Sequence, residues 1–159
     1  MRKSKINISG FKIGTAENRE GLTGVTVILA PDGGATAGVD VRGCAPGTRE
    51  TDLLDPRKTV QKIHAVVLSG GSAFGLEAAS GCVKYLAEQG VGFPIGNVCV
   101  PIVCSAVLFD LMIGDEKAYP DLLMGYEAAK SASSEFLSGC NGAGTGATVG
   151  KLLGFGNAM

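Results

Sequence analysis

The sequence contains no tryptophan, and aromatic residues make up only 6% of its 159 positions, which leaves little for base stacking or a sugar platform. Histidine occurs once, at His64, and no Cys-x-x-Cys pair is present, so no ligand set stands at metal spacing. No metal and no cofactor are expected. Basic residues form no run, and 14 Lys and Arg against 15 Asp and Glu give a net charge of −1, which argues against a nucleic-acid partner. No apolar run is long enough to span a membrane. The opening stretch MRKSKINISG is basic but lacks the apolar segment of a signal peptide. Five cysteines (44, 82, 99, 104 and 140), an odd number, read as reduced and mostly buried thiols of a cytoplasmic protein.

Glycine, by contrast, is abundant: 25 of 159 residues, more than twice the usual ~7%. The glycines lie within hydrophobic segments, which points to tight turns and close backbone packing rather than disorder. The length fits one domain, residues 1–159, with a sizeable core.

The first half reads as strands. KINI and FKIG alternate around Gly10, and GVTVILA runs into the PDGG turn at 31–34, from which ATAGVDVRG returns as a hairpin partner. A polar loop follows, with Arg42, Arg49, Glu50 and Asp52 set to pair among themselves. Ile63 to Leu68 form a buried strand, 69–72 a turn, and a helix then runs to about Gln89, with Gly90 as its stop. The stripe Gly75, Ala78, Ala79, Cys82, Val83, Leu86 is small enough to lie close against a sheet. Next come one long buried strand over 99–115 and an amphipathic helix carrying Leu122, Tyr126, Ala129, Ser133 and Phe136 on one face. A glycine-rich turn and a short helix ending near Gly154 complete the chain.

That turn, CNGAGTGATVGK, invites a nucleotide reading that its spacing rejects. A phosphate loop needs glycine where Thr145 stands and Ser or Thr where Leu152 stands. The permissive dinucleotide pattern Gly142, Gly144, Ala147 lacks the later acidic residue, since none follows Ala147. A serine-hydrolase elbow around Ser72 has its last glycine displaced to Gly75, and no histidine follows the serine. Ser72 reads better as a helix N-cap, and His64 as a satisfied core or edge residue.

Four segments together carry a likeness: DVRGCAPGTRETDLLDP (40–56), HAVVLSGGSAFGLEAASG (64–81), VPIVCSAVLFDLMIGD (100–115) and GAGTGATVGKLLG (142–154). In order and spacing they resemble the DmpA-type aminopeptidases, the L-aminopeptidase/D-esterase and β-peptidyl aminopeptidase enzymes. The resemblance implies an α+β fold, a four-layer αββα sandwich completed by a β chain, and self-cleavage of a precursor. These residues then correspond to the α chain, or to a precursor truncated near cleavage. A Ser or Thr nucleophile would open the β chain and use its own α-amino group as base.

The implied activity is hydrolysis of amide or ester bonds in short peptides or amino-acid amides by a homo-oligomer of αβ units. Acyl transfer, a wider-specificity amidase and a non-catalytic member of the fold are the alternatives. The resemblance places the Gly-rich turn beside the nucleophile, with backbone of Gly142 and Gly144 toward substrate and Asn141 as oxyanion donor. The family asparagine aligns with Cys140, one residue earlier, and the family's acidic residue and tyrosine near 105–109 are replaced by Ser105, Ala106, Val107 and Phe109.

Overall fold

The computed structural model describes residues 2–159, and Phe155 by its backbone alone. Its centre is a five-stranded sheet in the order β2-β3-β5-β8-β4. The strands are β2 (Lys12–Asn18), β3 (Thr23–Leu29), β4 (Thr48–Arg49), β5 (Ala65–Ser69) and β8 (Val103–Val107). Neighbours run antiparallel except β5 and β8, which are parallel and joined through helix α1 (Ala78–Glu88). Strand β1 (Arg2–Lys5) pairs with β9 (Glu135–Ser138) at the side, and β6 (Phe93–Ile95) with β7 (Val98–Val100) forms a separate hairpin.

Alternation along β3 explains the layering. Val25, Val27 and Leu29 point to one face and, with Ala65, Val67 and Val103, meet α1 and α2 (Leu122–Lys130) in the main core. The two helices approach each other almost backbone to backbone. A Cβ on Gly81 would fall 1.9 Å from the Leu122 carbonyl oxygen, and one on Gly125 would fall 1.9 Å from that of Ala78. The small-residue stripe read from the sequence therefore serves a helix as well as a sheet. Asp121 caps α2 by accepting from the Met124 N–H at 2.8 Å. Gly90 stops helix α1 just past its Gln89 cap, as the sequence suggests: φ is +69° there, and the Val91 N–H reaches back to the Leu86 carbonyl.

The opposite face of the sheet is only half covered. Val66 and Cys104 lie under the 51–60 loop with Leu53, Leu54 and Val60 in a smaller core. Ile13, Thr15, Thr26, Ile28, Leu68 and Ala106, on the other half of that face, border an open hollow, and Leu68 is 39% exposed.

Several expectations are corrected. ATAGVDVRG forms no strand beyond a single Ala35–Ile63 bridge, because β2 and β5 already occupy both edges of β3. The 99–115 run divides into β7, β8 and a loop, since continuous apolarity does not mark where a chain turns. The second helix stops at Lys130, and Phe136 belongs to β9, held by β1. In the polar loop Arg42 pairs with Asp40 and Arg49 donates to the Ser80 hydroxyl, so the four charges do not pair among themselves.

Ser72 likewise does not cap a helix. It sits at φ +53° inside a 3-10 turn, Ser72–Glu77, that precedes α1, and Gly71 holds the cap position. The thiols are free, but only Cys82 and Cys104 are buried; Cys44, Cys99 and Cys140 are exposed. Among the described residues no helix is long and apolar enough to cross a membrane.

Candidate active site

The Gly-rich turn leaves β9 and passes beneath the sheet's open face as a short 3-10 turn, Gly142–Gly144. Backbone proximity dictates its composition. At Gly142, with φ +55°, a Cβ would lie 2.4 Å from the Thr26 hydroxyl and 2.8 Å from the Val25 carbonyl. At Gly146 it would strike the Leu22 carbonyl at 1.9 Å.

Side chains from β2 and the residues after it fasten this turn. Glu17 accepts from the Gly142 N–H at 3.2 Å and from Arg19 at 2.6 Å. Arg19 donates in turn to Asn141 Oδ1 at 3.0 Å, and the Asn141 amide nitrogen donates to the Ser138 carbonyl at 3.2 Å. The Ala143 N–H is held by the Thr26 hydroxyl at 3.1 Å. Asn141 is 5% exposed, and its carbonyl end is fixed toward the arginine.

The N–H groups of Gly142 and Gly144 are occupied within the chain, by Glu17 and by the Asn141 carbonyl respectively. What these glycines contribute at the site is close approach rather than free donors. Gly144 borders the hollow along with Asn141, Ala143 and Ala147. The hollow measures about 450 Å³ and is almost wholly apolar, walled by strand residues and by Phe136 and Leu137. In the same segment the hydroxyls of Thr145 and Thr148 are buried without any hydrogen-bond partner, as is that of Ser105 on β8. Buried polar groups are seldom left so.

A buried carboxylate that the sequence did not single out organises the neighbouring turns. Asp110, 2% exposed, accepts from the Thr23 hydroxyl at 2.8 Å and from the Gly71 N–H at 2.6 Å. It thereby ties β3, the 70–71 turn and the loop after β8 into one unit. Its oxygens are committed, and neither Ala106 nor any other residue on the wall of the hollow is acidic. Ser105 faces the helix side.

The other serine reading fails on geometry. His64 stands before β5 and Ser72 beyond its far end, separated by the strand's length of about 17 Å. His64 Nδ1 instead accepts the Ile102 N–H at 3.1 Å, and burial lowers the pKa of its ring, so the ring is neutral. No group of three His, Cys, Asp or Glu is gathered as for a metal among the described residues.

A sheet clad by two helices on one face and open on the other, with a fastened glycine turn at its rim, is an arrangement found in a solved structure. The L-aminopeptidase D-Ala-esterase/amidase from Ochrobactrum anthropi, described as a new variant among the Ntn hydrolase fold, superposes on it. The TM-score is 0.65, with 19% identity over 87% of this chain and 42% of that one. The sequence matches Peptidase family S58 over residues 5–158, and the chain belongs to that family.

An uncharacterized aminopeptidase of Mycobacterium tuberculosis is 47% identical over 131 residues, covering 82% of this chain and 38% of the relative. A 6-aminohexanoate-oligomer endohydrolase of a Kocuria species is 36% identical over 149 residues, covering 93% and 39%. The chain thus spans well under half the length of the curated relatives it matches.

Proposed function

We propose that residues 1–159 form the α-chain portion of a self-processing hydrolase of amide and ester bonds, an aminopeptidase acting on short peptides or amino-acid amides. The observation that carries this reading is the open apolar half-face of the sheet, with its hollow bordered by the Gly-rich turn. A second chain from the same precursor would cover that face as the other two layers of the sandwich. Its N-terminal Ser or Thr would supply the nucleophile beside Asn141. Arg19 fixes the Asn141 amide by its oxygen, and one of its two N–H bonds serves Ser138. The other N–H is the oxyanion donor in this reading. The αβ units assemble as a homo-oligomer in the cytoplasm, without nucleic acid, membrane or cofactor.

Expression of the full gene, followed by intact mass and N-terminal sequencing, tests the proposal. Two chains, the second beginning with Ser or Thr, and release of nitroaniline from L-leucine p-nitroanilide are expected. An unprocessed protein inert toward amides would overturn it. The wall without an acid and the likeness to an oligomer endohydrolase favour a second reading, an amidase of wider specificity. Cleavage of substrates with blocked amines at rates equal to those of free-amine substrates would select it.

A further inference from the structure

We propose that a cavity at the Leu29 end of β3 is a second binding site, selective for a small zwitterion of amino-acid or dipeptide size. It holds about 490 Å³, within the range of small-molecule sites. The Gly-rich turn packs against Gly24, Val25 and Thr26 of the same strand, about 10–17 Å from Leu29 by strand length.

Two exposed residues of opposite charge, Lys12 and Asp32, border this cavity. No ion pair or hydrogen bond joins their side chains to each other or to any other described residue. His64, only 6% exposed, adds a donor. Its Nδ1 is taken by the Ile102 N–H, so the ring proton resides on Nε2, which has no partner among the described residues. Gln89 and Gly90 bring the C-terminal end of α1, the negative end of its dipole, to the same cavity.

An anion alone would meet Lys12 and His64 but also Asp32 and the helix end. A cation alone would meet the reverse. A ligand carrying both charges satisfies both halves, and Leu29, Leu86 and Val91 supply apolar wall for its side chain. Free amino acids and short peptides have this chemistry. That the ligand is a product of the chain's own reaction rests on the function proposed above; the binding itself does not.

Calorimetric titration of the purified protein with L-leucine, isocaproate and isoamylamine separates the possibilities. Leucine is expected to bind with Kd on the order of 0.1–1 mM, and the two single-charge analogues at least about tenfold more weakly. Lys12→Gln and Asp32→Asn, with folds checked by circular dichroism, should each weaken leucine about tenfold or more. Isocaproate or isoamylamine binding as tightly as leucine would overturn the proposal. So would leucine affinity indifferent to Asp32→Asn, or no leucine binding at all. A protein that binds leucine through these residues but hydrolyses nothing would sink the proposed function and leave this site standing. An active enzyme that does not bind leucine here would do the reverse.

Discussion

Removing the Asp110 carboxylate should loosen three segments at once. The side chain is 2% exposed and accepts two hydrogen bonds, from Thr23 at 2.8 Å and Gly71 at 2.6 Å. Bonds to a charged acceptor contribute about 1.5–3 kcal/mol each. Asp110→Ala loses both and leaves the Gly71 N–H buried without a partner, a cost of about 4 kcal/mol. Asp110→Asn keeps an oxygen for Gly71 and can turn its NH2 to the Thr23 hydroxyl, which is able to accept; about 2 kcal/mol is expected. Thr23→Val should cost about 2 kcal/mol by stranding one carboxylate oxygen. Urea denaturation reads these directly. With an m-value of about 2 kcal/mol/M, midpoints should fall by about 1 M for Asn and 2 M for Ala. In the Asp110→Ala, Thr23→Val double variant the costs should fall short of additivity by about 1.5 kcal/mol, because the shared bond is lost only once. A shift below about 0.3 M for Asp110→Ala, or strict additivity in the double variant, would refute the assignment of Asp110 as the tie between these turns.

Gly81→Ala should cost about 3 kcal/mol, read by thermal or urea unfolding, because its new Cβ meets the Leu122 carbonyl rather than a side chain that can swing away. Thiol titration at pH 8 should find Cys44, Cys99 and Cys140 reactive and Cys82 and Cys104 silent until denaturant is added. Burial raises Cys104 to about 11 and Cys82 to about 12, which suppresses their thiolates. Since burial lowers the folded-state pKa of His64, the unfolded chain takes up its proton first. Stability should therefore decline as pH falls through the usual imidazole range near 6.5, and His64→Gln should flatten that decline. In mature, processed enzyme, Asn141→Ala should lower kcat by about 10²–10³-fold with little change in KM, if measured after confirming cleavage by mass. Equal kcat would remove Asn141 from the chemistry.

The β5–turn–α1 unit was legible in the sequence because its signals are local. A short apolar run, a double glycine, helical spacing of small residues and a terminal glycine all agree. Strand β9 was not, because nothing within SEFLS says that Arg2–Lys5 will pair with it from the other end of the chain. The 35–43 segment misled for a similar reason, as its own composition suits a strand whose place β5 has taken. At the site, the Gly-rich turn announced tight backbone packing. The clamp of Glu17 and Arg19 on Asn141 and Gly142 joins positions more than a hundred residues apart, and no spacing rule reaches that far. Asp110 could have been suspected as an acid set in an apolar run, for such a group needs partners.

The contact between α1 and α2 has a thermodynamic consequence of its own. Where main chain meets main chain through Gly81 and Gly125, there are no rotamers to freeze, so ordering this seam costs little side-chain entropy. It also hides little hydrocarbon, and so adds little to the heat-capacity change that curves a stability profile. The seam cannot adapt by repacking, since it has no side chains to rearrange. Under heat or load it should stay seated or part as a whole, and the two helices should exchange their amide hydrogens as one cooperative unit.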